Sequence, residues 1–331
     1  MCSARDNDGR LKFLFDPIST SPQFAAPGGN ITVDVSENIY NSCPCTFYLN
    51  LSVEGVQINL TDIERLSDPA SGTYRFSVKI PADMKPGLYD LAAKKGNNYD
   101  TSRRSVAVLD KSPDFFKILY LNNIHIGRGI QETEHGDENI LLETMAQDVN
   151  DSKPDIVVIT GITASASSPD ELKRLFEIVE KYKVPTFVQT DSNSGGGKDY
   201  KPYFGQNNYV KKFGDYLFIF FGTQIEGNPK SQFSDSDIQW LKNELDAGGE
   251  TRLKAMFTNL REDALKSLLN ALKPHNVDLI LLEDPHNKVE NIGTPPATAI
   301  STPPLYEGFY RIITIRNGRY DGETLIKLGA Q

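Results

Sequence analysis

The sequence predicts a chain in two parts: an all-β sandwich over residues 11–112, then a layered α/β domain over 113–331. Two observations predict this. Before Asp110, short runs alternate apolar and polar residues at period two, with turn residues between them and almost no helical periodicity. After Pro113, apolar strand signals alternate with helical ones, the pattern of layered α/β folds. The break itself, Asp110-Lys-Ser-Pro-Asp114, is polar, and Pro113 cannot donate to a sheet ladder.

At 331 residues the chain is long enough for two cores. Hydrophobic content of 39% and charged content of 24% are ordinary for a globular protein. The net charge of −9 sets the chain against a phosphate backbone, so nucleic acid is not an expected partner. No apolar run approaches the ~20 residues of a membrane helix, and no signal-peptide core is visible. Residues 1–10 read as a disordered segment or, through Cys2 and the polar run behind it, as a lipid-anchored membrane tether. Cys43-Pro-Cys45 offers too few ligands for a zinc site. It reads as two thiols in a turn, with a tight disulfide as the other reading.

Within the first part, Ile31–Val35, Thr46–Val53, Val56–Leu60, Thr73–Ile80, Leu88–Ala92 and Arg104–Leu109 each alternate at period two. Pro27-Gly-Gly29, Asp68-Pro69, Ser71-Gly72, Pro86-Gly87 and Gly96-Asn-Asn98 punctuate them. About six or seven strands in some 100 residues is the signature of an immunoglobulin-like sandwich. The phrase Lys85-Pro-Gly-Leu-Tyr-Asp90 resembles those preceding a late strand in many extracellular modules of that kind. Four Asn-x-Ser/Thr triplets make Asn30, Asn50, Asn59 and Asn150 candidate glycosylation sites, and three lie in this domain. They point to a secreted or cell-surface protein. With no catalytic constellation of its own, the domain reads as a spacer or docking surface.

In the second part, Phe115–Leu121 is a strand, followed by helical spacing over Asn139–Val149 and a buried strand over Asp155–Gly161. Ser168-Pro-Asp-Glu171 combines an N-cap, Pro at the first helical position and Glu at the third, opening a helix to about Tyr182. Strands follow at Val184–Gln189, Tyr216–Gly222, Arg252–Phe257 and Val277–Leu282. Ser234-Asp-Ser-Asp237 caps one intervening helix, and Glu262–Leu272 forms another. Gly308–Ile315 and Tyr320–Lys327 make a hairpin turning at Asn317-Gly318.

The strand Phe115–Leu121 runs into Asn122-Asn-Ile-His-Ile-Gly127. This resembles the first motif, Asp-x-His-x-Gly, of the calcineurin-like metallophosphoesterases, with Asn123 at the Asp position and His125 and Gly127 retained. The resemblance extends over residues 115–331 and implies a layered β-sandwich flanked by helices, with a two-metal site at the strand ends. The family's Gly-Asp motif, whose Asp bridges the ions, falls at Gly161-Ile162. Its Gly-Asn-His-Asp motif falls at Thr190-Asp-Ser-Asn193, with Asp191 in place of the Asn ligand and Ser192 in place of the His. A further His falls at Thr258-Asn259, and Gly-His-x-His falls at Glu283-Asp-Pro-His286, retaining His286 and putting Asp284 at the other His. His135 and His275 lie in polar segments and read as solvated.

The resemblance therefore implies a framework with most ligands replaced, and with Ile162, Ser192 and Asn259 as degenerate catalytic positions. The remnant Asn123, His125, Asp191, Asp284 and His286 is a weak candidate set for one divalent ion (Mn, Zn or Fe); the main expectation is no cofactor. The expected function is a catalytically inactive structural or interaction module that meets a protein partner or another copy of itself. The alternative is an active metal-dependent phosphoesterase acting on a small phosphoester. The Gly-rich run at 195–197 fails the P-loop pattern, since Lys198 is followed by Asp199, and reads as a loop over the site. Tyr200, Tyr203, Phe204 and Tyr209 read as packing that loop onto the domain.

Overall fold

The structure, a computed structural model, describes residues 13–44, 46–66, 72–126, 138–164, 169–190, 200–222, 233–260, 262–282, 287–293 and 295–329. The first domain holds β1 (Leu14–Asp16), β2 (Gln23–Ala25), β3 (Asn30–Ser36), a short helix α1 (Glu37–Tyr40), β4 (Phe47–Val53), β5 (Val56–Leu60), β6 (Ile63–Arg65), β7 (Thr73–Lys79), β8 (Gly87–Lys95) and β9 (Asn98–Val108). They form a four-stranded sheet, β1-β3-β7-β6, and a five-stranded sheet, β2-β9-β8-β4-β5. The period-two residues Val33, Val35, Leu49, Leu51, Phe76 and Val78 all turn inward and bury one core between the sheets. The strands β1, β2 and β6 lie outside the expected set. At three residues each, they are too short for alternation to announce them.

The second domain continues with β10 (Phe115–Asn122), β11 (His125–Ile126), α2 (Glu138–Ser152), β12 (Ile156–Ala164), α3 (Pro169–Val179), β13 (Thr186–Thr190), α4 (Lys201–Phe204), β14 (Tyr209–Phe213), β15 (Tyr216–Phe221), α5 (Asp235–Gly248), β16 (Leu253–Thr258), α6 (Glu262–Ala271), β17 (Leu279–Leu282), β18 (Lys288–Ile292), β19 (Ala297–Ser301), β20 (Phe309–Arg316) and β21 (Arg319–Lys327). One six-stranded sheet runs β11-β12-β10-β20-β21, with β13 also on β12. The other runs β14-β15-β16-β17-β19-β18.

The two sheets stack face to face. Phe116, Ile118 and Tyr120 of β10 meet Phe218, Phe220 and Phe257 of the opposite sheet in one aromatic core. The intervening residues Leu119 and Leu121 face the other way and pack against Leu142, Met145, Leu175 and Phe176 of α2 and α3. Helices α5 and α6 cover the second sheet's outer face through Leu241, Leu245, Leu265 and Leu268. The order is therefore helix, sheet, sheet, helix, and burial on both faces explains why β10, β15 and β17 are continuous apolar runs.

Local signals agree with this arrangement. The Ser234 hydroxyl and the Asp237 carboxylate cap α5 reciprocally. Asn317 and Gly318, at φ +51° and +75°, turn the β20–β21 hairpin as an Asn-Gly pair should. Two expectations need correction. Cys43 is disulfide-bonded, not a free thiol, with its partner outside the described residues. His275 is not solvated: its side chain is 19% exposed and its Nε2 lies 3.7 Å from Asp246 of α5, the turn after α6 being held by the His275 N–H on the Leu272 carbonyl at 3.0 Å. Among the described residues, no helix is long and apolar enough to cross a membrane.

One buried carboxylate anchors the start of the first domain. Asp100 is fully buried, and one of its oxygens accepts the Phe13 and Leu14 N–H groups at 2.7 and 2.8 Å. The other accepts Thr101 N–H at 3.0 Å. Asp100→Ala strands these donors away from water and should cost about 2–3 kcal/mol in chemical denaturation, with Asp100→Asn losing less. An Asp100→Asn variant as stable as the unmodified protein, with the loss confined to Asp100→Ala, would show that volume, not hydrogen bonding, carries the anchor.

Candidate functional site

The sequence places its candidate residues where strands of both sheets end, and the described residues there form a polar floor. Asn122, the last residue of β10, is fully buried; its amide donates to the Thr302 carbonyl at 2.7 Å. Its neighbour Asn123 turns out of the strand at φ +54°, a conformation Asn tolerates, with its N–H on the Thr160 carbonyl at 3.0 Å. Among the described residues, the Asn123 side-chain oxygen is buried without a partner. Thr160 shares a 2.7 Å hydrogen bond with the Tyr120 hydroxyl.

The register of β12 locates two more positions through the backbone alone. Ile162 stands opposite Thr190 of β13, and the next residue, Thr163, stands opposite His125 of β11. A bulge between Ile159 and Ile162, containing Gly161 at φ +67°, makes this divided pairing possible. Asp191, Ser192, Asp284 and His286 lie outside the described residues, as do His135 and the Gly-rich run at 195–197. Among the described residues, which exclude most of the expected ligand set, no three His, Cys, Asp or Glu side chains form a metal-sized group.

Two networks stitch the sheets together at this end, and sequence reasoning missed both. Arg311 of β20 is 1% exposed. Its guanidinium pairs with Glu323, donates to the Asn287 side chain, and reaches the Thr302 hydroxyl and the Ser301 carbonyl at 3.2 Å each. The second network centres on Gln189 of β13. With its amide oriented to suit its neighbours, the oxygen accepts Phe221 N–H at 2.9 Å and Gly222 N–H at 3.2 Å, while the nitrogen donates to the Phe257 carbonyl at 3.2 Å. Gly222 also donates to the Asn208 side chain at 2.9 Å.

A Cβ at Gly222 would sit 3.3–3.4 Å from the amide groups of Asn259, Asn207 and Gln189, so only glycine fits between them without displacing one. Thr258 is buried and its hydroxyl accepts Leu260 N–H at 3.2 Å, closing the turn after β16. The available signal for these groups was a polar residue ending an apolar run: Asn122, Gln189 and Thr258 each do so. Arg311, a lone charge inside Phe309–Ile315, was a stronger one.

The candidate glycosylation positions differ in surroundings. Asn30 and Asn59 are exposed, and Asn59 faces the half-buried Asn50 across the β4–β5 pair. The Asn150 amide is engaged, donating to the Lys181 carbonyl at 3.1 Å and accepting Lys183 N–H at 3.0 Å. Tyr200, Tyr203, Phe204 and Tyr209 are all buried, packed on the domain as expected.

No protein-family model and no curated protein matches the sequence. Among solved structures, a hypothetical protein from Thermus thermophilus aligns with 63% of this chain and 98% of its own, at 10% identity and a TM-score of 0.40. A mixed-linkage glucan utilization protein of Bacteroides ovatus, SGBP-B, aligns over 35% of this chain and 25% of its own, at 18% identity and a TM-score of 0.20. The M1 domain from titin aligns over 27% of this chain and 84% of its own, at 13% identity and a TM-score of 0.16. Likenesses this loose transfer neither fold nor function to the chain.

Truncating Arg311 removes a buried charge whose partners come from both sheets. Arg311→Ala should cost about 3–5 kcal/mol by leaving Glu323 and three other acceptors uncompensated. The double variant Arg311→Met with Glu323→Leu should recover much of that loss. Chemical denaturation of the two variants measures both quantities, and a negligible cost for Arg311→Ala would show that this network does not hold the sheets.

Proposed function

We propose that the second domain is a degenerate calcineurin-like metallophosphoesterase domain that has lost catalysis and serves as an interaction module outside the cell. The observation that carries this reading is the use made of the strand ends. Asn122 and Gln189 spend their amides on joining the two sheets, and Asn259 crowds Gly222 beside them. Ile162 stands on the strand beside His125, at the position the resemblance assigns to a bridging carboxylate.

Two divalent ions held about 3.5–4 Å apart repel strongly and need anionic ligands between them. A hydrocarbon side chain has no lone pair to supply, and the side-chain amides of Asn122, Gln189 and Asn259 carry no charge. The described residues of this floor therefore do not suit a two-ion centre.

The extracellular part of the reading is supported by the disulfide at Cys43, since such bonds persist in oxidising compartments. The exposed sequons at Asn30 and Asn59 agree with it. The partner on this reading is another protein or a second copy of the chain. The excess of acidic groups disfavours nucleic acid. One observation favours a single-ion phosphoesterase instead: among the described residues, the Asn123 side-chain oxygen is buried without a partner two residues from His125.

An assay separates the two readings. The full chain, supplied with Mn²⁺, Zn²⁺ or Fe²⁺, is expected to give no turnover of a generic aryl phosphate or diester above background. Ile162→Asp alone should not restore it, because Ser192 and Asn259 also lack a titratable proton donor or ligand. Metal-dependent turnover that disappears in His286→Ala would end the non-catalytic reading.

A further inference from the structure

β13 borders its sheet: it pairs with β12 on one side and with no other strand among those described. An open strand edge presents unpaired N–H and C=O groups and invites addition of a foreign strand. Here the edge is closed from within the chain. The outward N–H of Val188 donates to the carbonyl of Thr20, in the first domain, at 3.0 Å. The outward carbonyl of Val188 accepts the hydroxyls of Tyr200 and Tyr209, each at 3.0 Å.

Three further contacts fall along the same joint. Phe24 of β2 packs edge-on against Phe213 at 4.8 Å between ring centres, and lies 6.0 Å from Phe187. It thereby joins the core between the two six-stranded sheets of the other domain. Lys211 of β14, with 8% of its side chain exposed, meets Asp16 of β1 at 2.6 Å. The Asp16 carboxylate is held in turn by the Gln23 amide at 2.5 Å, and Gln23 bonds Thr32. Finally Arg104 donates to the Glu180 carbonyl at 2.7 Å, just past the end of α3.

Domain pairs within a chain move relative to each other unless their interface is large and apolar. This joint departs from that default because the domains share a core residue and a backbone hydrogen bond. The Asp16–Lys211 pair is not the main source of its strength, since separation would rehydrate both charges and offset their attraction. Its contribution is register: only one docking angle brings the two side chains together.

We propose that the first domain is a built-in edge cap for the second, closing β13 and completing the inter-sheet core, so that the two dock as one cooperative unit. Of the spacer and docking-surface roles expected from the sequence, this inference takes the second, with the docking made within the chain. The segment carrying Asp191 and Ser192 leaves the end of β13, so the first domain fixes where that segment starts. This inference stands whether or not the strand-end floor binds an ion.

Hydrogen exchange resolved to single amides, on the full chain, tests it directly. The Val188 amide has its bond across the joint, whereas the Leu119 amide lies mid-sheet in β10 and opens only with the second domain. In a cooperative unit Val188 exchanges no more than about tenfold faster than Leu119, because both wait for the same global opening. In Phe24→Ala, if it folds, both rates rise by the same factor. A Val188 amide exchanging more than about tenfold faster than Leu119 in the unmodified protein would mean the domains separate while folded, and would overturn the proposal.

Discussion

A guanidinium is fully charged at any accessible pH, and burying one is tolerated only when its charge is paired and most of its N–H groups are directed at acceptors. Arg311 meets that condition with partners from three segments far apart in sequence, Asn287, Ser301–Thr302 and Glu323. Because Thr302 also receives the Asn122 amide, the end of β10 is tied through it to the end of β19. The way the two sheets meet at the candidate site is set by this constraint. Gln189 repeats the device on the other side, reaching from β13 to β15 and β16. Apolar stacking holds the middle of the sandwich; directional polar bonds hold the strand ends.

On the proposed reading, these same bonds explain why the framework of a phosphoesterase can outlast its chemistry. Ligand side chains that converge on ions must point into open space and leave charge uncompensated until metal arrives. Amides and hydroxyls that bond each other across the sheets need no metal, and each bond they make is one fewer lone pair for an ion. The floor is thereby stable by itself, at the expense of the acceptors a metal pair would use. The first domain adds a second self-sufficient feature by closing the strand edge that borders this floor.

Much of the fold was legible because it is local. Period-two runs gave the long strands of the first domain, and apolar runs buried on both faces gave β10, β12, β15, β16 and β17. Ser234-Asp-Ser-Asp237 and Asn317-Gly318 marked their helix start and hairpin turn through side-chain and backbone chemistry that acts within four residues. What was not legible depends on distance. Strands of three residues such as β2 carry too little pattern, and β2 matters because Phe24 lands in a core formed after residue 115. At the candidate site the sequence offered positions, Ile162 and Asn259 among them, named through a resemblance, but not the bonds that join the strand ends. That Asn122, rather than Asn123, carries the cross-sheet bond follows from a left-handed turn at Asn123 that no neighbouring residue announces.

Amides and a guanidinium join the strand ends, and on the proposed reading they take the place of a pair of ions. Anomalous diffraction from crystals equilibrated with Mn²⁺ measures this most directly. No paired peaks are expected beyond the ends of β10, β12 and β13, with the Asn122–Thr302 and Gln189 bonds intact. Two anomalous peaks about 3.5–4 Å apart at that position would contradict the claim.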